Sequence, residues 1–303
     1  MTPPDFDIAY VGHYTKDTVV TTSANRTQDG GAFYYGCGVA LAMGKRAAVV
    51  TRLARADWHV VDRLSAAGVH MFARATPETT RLRLEYQTDD LDQRTIFNTG
   101  SAGPFTVDEV TPVRARHFHV CASIRGEVPL EVIDAIKAGG GRVSLDVQGY
   151  LRVNRGGRLQ SEPWPEMAEV LRRVDVLKAD AVEARELLGI DDLGAAAEKF
   201  AALGPAEVLL THAGGVLAWA DGRLHQAPFV AADLRGRTGR GDTCTSSYVL
   251  RRQERSPREA VIWAAALTSL KLEQPGPFAR TVEDVERLIR ERYTDPRAAA
   301  TAP

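Results

Sequence analysis

Short apolar runs at residues 6–11, 47–51, 69–73, 117–122, 142–146 and 207–211 recur through the chain, with helical stretches between them. A further strand opens the segment 175–188. Runs of this length bounded by turn residues read as buried strands, and their alternation with helices is the rhythm of an α/β fold. The rhythm breaks once. Residues 79–98 (TTRLRLEYQTDDLDQRTIFN) alternate apolar and polar side chains around a DDLD turn, the pattern of a β-hairpin with one wet face. Such a hairpin does not fit a parallel core, so with residues 19–27 it is expected to form a small lid that covers a site or pairs with a second subunit.

A second stretch, residues 237–246 (RTGRGDTCTS), concentrates the chemistry. Gly239 and Gly241 let the backbone turn and approach a ligand without a Cβ in the way. A helix is expected from Asp242 or Thr243 to Arg252, and the unpaired N–H groups at its start would point at whatever the glycines admit. Asp242 then stands where a carboxylate can take a proton from an attacking hydroxyl while the N–H groups stabilise a transferred anion. The plainer reading is a glycine-rich turn with an Asp cap.

Other candidates fall near strand ends, where ligands of α/β folds usually bind. Asp17 lies in what reads as the loop after the first strand, placed either to hold substrate hydroxyls or to cap the loop. Gly30 and Gly31 precede a small-residue helix carrying Tyr34 and Tyr35, which read as core or pocket wall. Asp146 and Gln148 sit at the end of another strand. Lys178, Asp180 and Glu183 cluster at a strand-to-helix junction, as a phosphate or metal-water site or as a capped helix with solvated acids. A DG turn at Asp221 and Gly222 closes a late hairpin, and residues 294–303 read as a frayed tail.

With 38 basic and 39 acidic side chains the formal charge is −1, which gives no electrostatic case for nucleic acid or an anionic membrane. The three cysteines, Cys37, Cys121 and Cys244, are far apart and form no CxxC or Cys/His cluster, so reduced thiols in a cytoplasmic protein are expected. No stretch approaches the ~20 apolar residues of a membrane span. The first strand lacks the GxGxxG of a dinucleotide-binding oxidoreductase, and no Walker A loop occurs.

Over about residues 6–290 the chain resembles the ribokinase-like (PfkB) carbohydrate kinases. TGRGDT at 238–243 is similar to that family's DTTGAGD signature, KADAVE at 178–183 to its NxxE motif, Gly30 and Gly31 to its N-terminal di-glycine, and THAGG at 211–215 to its nucleotide-phosphate loop. The resemblance implies a single domain spanning 1–303, a three-layer α/β/α sandwich with a mostly parallel central sheet, and a small β lid built from about 13–31 and 74–103. It implies a kinase with ATP as co-substrate and Mg²⁺ as cofactor. In it Asp242, Gly239, Arg240 and Gly241 would be catalytic, and Asp17, Gly30, Gly31, Tyr35 and Gln148 would hold the acceptor. Lys178, Asp180, Thr211 and Gly214 would hold the nucleotide, and Glu183 would organise the metal through water. GGAFYYG, DVQGYLR and GRGDT look closest to the inositol-kinase branch, so the expected acceptor is a cyclitol such as myo-inositol or a sugar, with a homodimer through the lid as one arrangement.

Three departures stand out. Asp180 replaces the usual Asn, Gly236 stands at the signature's first Asp, and Arg240 lies between the two glycines, to meet the phosphate or to reach into solvent. Two rivals remain: a nucleoside or hexose kinase of the same family, and a catalytically silent sugar-binding regulator on the same fold.

Overall fold

The computed structural model describes residues 4–88 and 94–293, so the expected DDLD turn and the 294–303 tail lie outside the described residues. The strands, in chain order, are β1 (Ile8–Val11), β2 (Thr15–Val20), β3 (Asn25–Gly30), β4 (Ala47–Ala54), β5 (His70–Thr76), β6 (Thr80–Glu85), β7 (Thr95–Gly100) and β8 (His117–Val120). They continue as β9 (Arg142–Asp146), β10 (Arg152–Arg155), β11 (Arg158–Ser161), β12 (Val176–Asp180), β13 (Glu207–His212), β14 (Gly215–Ala220) and β15 (Arg223–Pro228). Nine of them form the central sheet in the order β15-β14-β13-β12-β9-β8-β1-β4-β5. From β5 to β13 every neighbouring pair is parallel, and only β14 runs against the rest.

Helices cover both faces because the central strands are apolar on both. In β1, Ile8 and Tyr10 enter one core with Phe33, Tyr248 and Trp263. Ala9 and Val11 enter the other with Val132, Ile133 and Phe200. Alternate side chains of one strand thus fill two cores, which is why such strands read as continuous apolar runs. The expected sandwich is observed. Among the described residues no helix is long and apolar enough to cross a membrane.

The second sheet is the lid, six strands in the order β10-β11-β7-β6-β2-β3. It differs from expectation in three ways. Asp17 is on β2, paired with Gln28 of β3 and Leu82 of β6, and not in a loop. Residues 70–76 belong to the central sheet, paired with β4, so the lid's second segment starts at Thr80. A third segment, β10–β11, was not anticipated. Its two-residue turn, Gly156 and Gly157, has φ of 59° and 92° and is flanked by the Arg155–Arg158 pair. That is the Gly-Gly hairpin signal, although RVNRGGRLQS carries too little apolar alternation to read as strands.

Candidate active site

The helix Arg240–Arg252 begins two residues earlier than expected. Gly239, at φ 76° and ψ 14°, serves as its N-cap in the left-handed region, and no side chain caps the end. Asp242 is therefore in the first helical turn. Helix geometry leaves the N–H groups of Gly241 and Asp242 without intrahelical partners, so they face outward as anion donors. Two neighbours explain the glycines. A Cβ at Gly239 would lie 2.2 Å from a ring carbon of Tyr35, and one at Gly241 would lie 3.1 Å from Lys178 Nζ. An aromatic face and an ammonium therefore pack directly on the turn.

Lys178, in the middle of β12, is in register with Asp146 at the end of the parallel strand β9. Its Nζ is 3.1 Å from Asp146 Oδ2 and 3.7 Å from Glu183 Oε2, with all three side chains largely buried. Burial works against the ammonium, but Asp146, Glu183, Asp180 and Asp242 outweigh it and hold Lys178 above its ordinary range. Asp242 is half-buried. Loss of solvent, then the nearby Asp146 carboxylate, raise it to about 6 against the pull of Lys178, Lys271 and Arg152. An acid with that value is mostly ionised at neutral pH and can still hold a proton, which suits a general base.

Asp180 caps the helix Ala181–Leu188. Its Oδ1 accepts from the Glu183 N–H at 2.9 Å, and Glu183 Oε2 accepts from the Asp180 N–H at 2.7 Å. The capped-helix reading of this cluster is therefore what the geometry contains. One oxygen of each carboxylate is left for other partners. Among the described residues no group of three or more His, Cys, Asp or Glu side chains could hold a metal by itself. A Mg²⁺ ion that keeps its waters and binds mainly to phosphates needs only one or two carboxylates, and Glu183 with Asp180 fits that requirement.

On the lid side Asp17 is 8% exposed and its Oδ1 has no hydrogen-bond partner among the described residues. Burial raises it to about 6. A Cβ at Gly30 would lie 2.3 Å from Asp17 Oδ2, and one at Gly31, φ 96°, would lie 2.5 Å from the His13 carbonyl. The di-glycine thus lets the lid strands close on this acid. Tyr35, buried, has both Asp242 and Asp17 among the charges acting on it, and so is a wall between them, whereas Tyr34 packs on the core.

The remaining candidates separate. Gln148 lies beside the Asp180–Glu183 junction, and its Oε1 accepts from Arg152 Nη2 at 2.9 Å, so it faces that junction and not the lid acid. Thr211, the last residue but one of β13, lies opposite Asp180, and Gly214 is exposed in the following turn. Arg240, among the charges acting on His212, stands on that same edge. Two functional residues outside the sequence candidates join the site, Arg152 and Lys271. Arg152 ends the DVQGYLR motif and opens a hairpin that the sequence pattern does not reveal, while a lysine inside the apolar run AAALTSLKL is a usable signal for Lys271.

A cavity of about 250 Å³ opens between the lid and the helix Ala181–Leu188. The lid segments supply Arg94, Arg152 and Arg158, and the helix and its cap supply Asp180, Glu183 and Glu186.

No protein-family model matches the chain, and no curated protein matches its sequence. Solved structures do. A pyrophosphate-dependent kinase in the ribokinase family, complexed with a pyrophosphate analog and myo-inositol, is 31% identical, with 92% of this chain and 99% of that one covered at a TM-score of 0.85. A sulfate complex of a pyrophosphate-dependent kinase in the ribokinase family is 32% identical over 92% and 99%, TM-score 0.86. Arabidopsis thaliana ribokinase complexed with ribose and ATP is 23% identical over 96% and 99%, TM-score 0.73, a likeness of fold.

Proposed function

The chain belongs to the ribokinase family of kinases, and we propose that it transfers a phosphoryl group from pyrophosphate to a hydroxyl of a cyclitol such as myo-inositol. The observation that carries this reading is Asp242, an acid raised to about 6, in the first turn behind a left-handed Gly239. A base beside unpaired N–H donors is what phosphoryl transfer to an alcohol requires, since catalysis there is positioning and charge neutralisation.

The acceptor ring is held at Asp17, whose free oxygen accepts its hydroxyls, with Tyr35 as the wall. Asp242 takes the proton of one hydroxyl as its oxygen attacks phosphorus. The bond to the leaving phosphate breaks, and the transferred group rests on the N–H groups of Gly241 and Asp242. Lys178 offsets charge on the phosphates from beside Gly241. Magnesium, held through water by Glu183, would neutralise further charge on the donor.

The donor reading rests on the cavity. Guanidinium groups from the lid and carboxylates from the opposite helix are complementary to a metal-bound diphosphate, which carries both signs of charge. Its 250 Å³ lies below the ~300–1,000 Å³ usual for organic ligands. ATP is the second reading, favoured by Thr211 and Gly214 at the end of β13 beside Arg240. The silent-binder alternative is disfavoured because Asp242 and both loop glycines keep working positions.

The test is phosphate release from Mg-pyrophosphate and ADP release from Mg-ATP, against myo-inositol, other cyclitols, ribose, fructose and nucleosides, with Asp242→Asn in parallel. Turnover with pyrophosphate and a cyclitol, lost in the variant, is expected. Turnover with ATP alone overturns the donor assignment, and silence with every pair overturns the phosphotransferase reading.

A further inference from the structure

Lys271 is 2% exposed, near the end of the helix Pro257–Leu272. Its Nζ donates to the carbonyls of Gly236 and Thr238, the residues that lead into Gly239. The Gly236 N–H donates to the Leu272 carbonyl at 2.7 Å. A Cβ at Gly236 would lie 1.9 Å from the Gln274 carbonyl, so only glycine lets the loop lie this close to the helix end. Nζ is also 5.4 Å from the centre of the Tyr35 ring, the ring that packs on Gly239. An ammonium is thus enclosed by two carbonyls and an aromatic face, with Asp242 as its charged neighbour.

Carbonyl oxygens directed at one point repel unless a cation lies between them, and a small set of carbonyls is the kind of cage that takes a monovalent ion. We propose that Lys271 is a tethered monovalent cation: its ammonium fills the place between the Gly236 and Thr238 carbonyls that a free potassium or ammonium ion would otherwise take, so the catalytic loop keeps its shape without one. The departure at position 236 and the buried lysine are then one feature, the glycine admitting the helix end and the lysine closing the cage. Burial lowers Lys271 to about 8, with Asp242 opposing, so the ammonium persists at neutral pH. Lys271 is a positioning residue. The inference rests on the phosphotransferase reading of the loop.

The test compares the wild type and Lys271→Ala in choline chloride and in potassium, rubidium or ammonium chloride at equal ionic strength, reading turnover and Tm. The wild type is expected to change less than twofold in turnover and not at all in Tm. Lys271→Ala is expected to lose at least tenfold in choline, to regain most of it in potassium or ammonium, and to gain a few degrees of Tm with those ions. A lysine that only fills space would give no such cation rescue. Activation of the wild type by potassium, or an alanine variant indifferent to all three cations, overturns the proposal. If Lys271→Ala does not fold, Lys271→Gln keeps a donor without charge, and undiminished turnover in it overturns the proposal. A wild type silent with every donor and acceptor would refute the phosphotransferase reading instead, and the Tm responses would still decide the cation cage.

Discussion

Lys178 Nζ lies 3.1 Å from Asp146 Oδ2, across two parallel strands whose register pairs these residues directly. Both side chains are nearly inaccessible, and Glu183 is the next anion at 3.7 Å. Removing the cation would leave two desolvated carboxylates facing each other and facing Asp242. Lys178→Met is therefore expected to cost about 3–5 kcal/mol of unfolding free energy, as for other buried pairs broken on one side. Urea denaturation checks this, and a loss below about 1 kcal/mol would show that water reaches the carboxylates.

Asp242 and Asp17 are each raised from 3.8 to about 6. As a base Asp242 must be ionised, so turnover is expected to fall as the pH drops through about 6. Stability moves the other way. The folded state holds these protons more tightly than the unfolded chain, so their contribution is full below about pH 4 and is lost as the pH rises through about 6. Asp242→Asn should reduce kcat by about 10²–10⁴ while raising Tm at pH 8. A kcat profile flat from pH 5 to 8, or a lowered Tm in the variant, would remove Asp242 from this role.

Gly239 is held both by its left-handed backbone and by Tyr35, whose ring would sit 2.2 Å from an added Cβ. Gly239→Ala should abolish most turnover. Adding Tyr35→Ala relieves the clash but not the dihedral, which still costs about 1–2 kcal/mol. The double variant is accordingly expected to lose the steric clash but to keep the dihedral cost and a cavity, and so to regain little activity. Full recovery of kcat would mean that the contact alone, and not the turn, matters.

The observed cap contact of Glu183 and the metal role proposed for it can be separated. Its Oε2 accepts from the Asp180 N–H, which a Gln oxygen can also do, so Glu183→Gln should change stability by no more than a few tenths of a kcal/mol. Loss of its charge should raise the Mg²⁺ concentration for half-maximal turnover several-fold. An unchanged magnesium titration in a well-folded variant would leave Glu183 as a helix cap.

What the sequence determined by itself is what short-range chemistry encodes. Apolar strand runs such as 6–11 and 142–146 implied the parallel sheet, Asp221-Gly222 implied its hairpin, and TGRGDT implied a tight turn opening a helix. The turn residues Asp221 and Gly222, with φ of 53° and 70°, bear out the hairpin because backbone sterics act over a few residues. What tertiary structure decided is which distant groups meet. Asp17 left its expected loop for β2 because a lid strand from another segment paired with it. Arg152 entered the cavity between the lid and the helix Ala181–Leu188 on a hairpin with little apolar alternation, and Lys271 reached the carbonyls of Gly236 and Thr238 from 33 or more positions away. The lysine within AAALTSLKL signals a buried charge but not its partners, since these encounters depend on sheet order and helix packing, and the charges that tune Asp242 act only once the whole chain has folded.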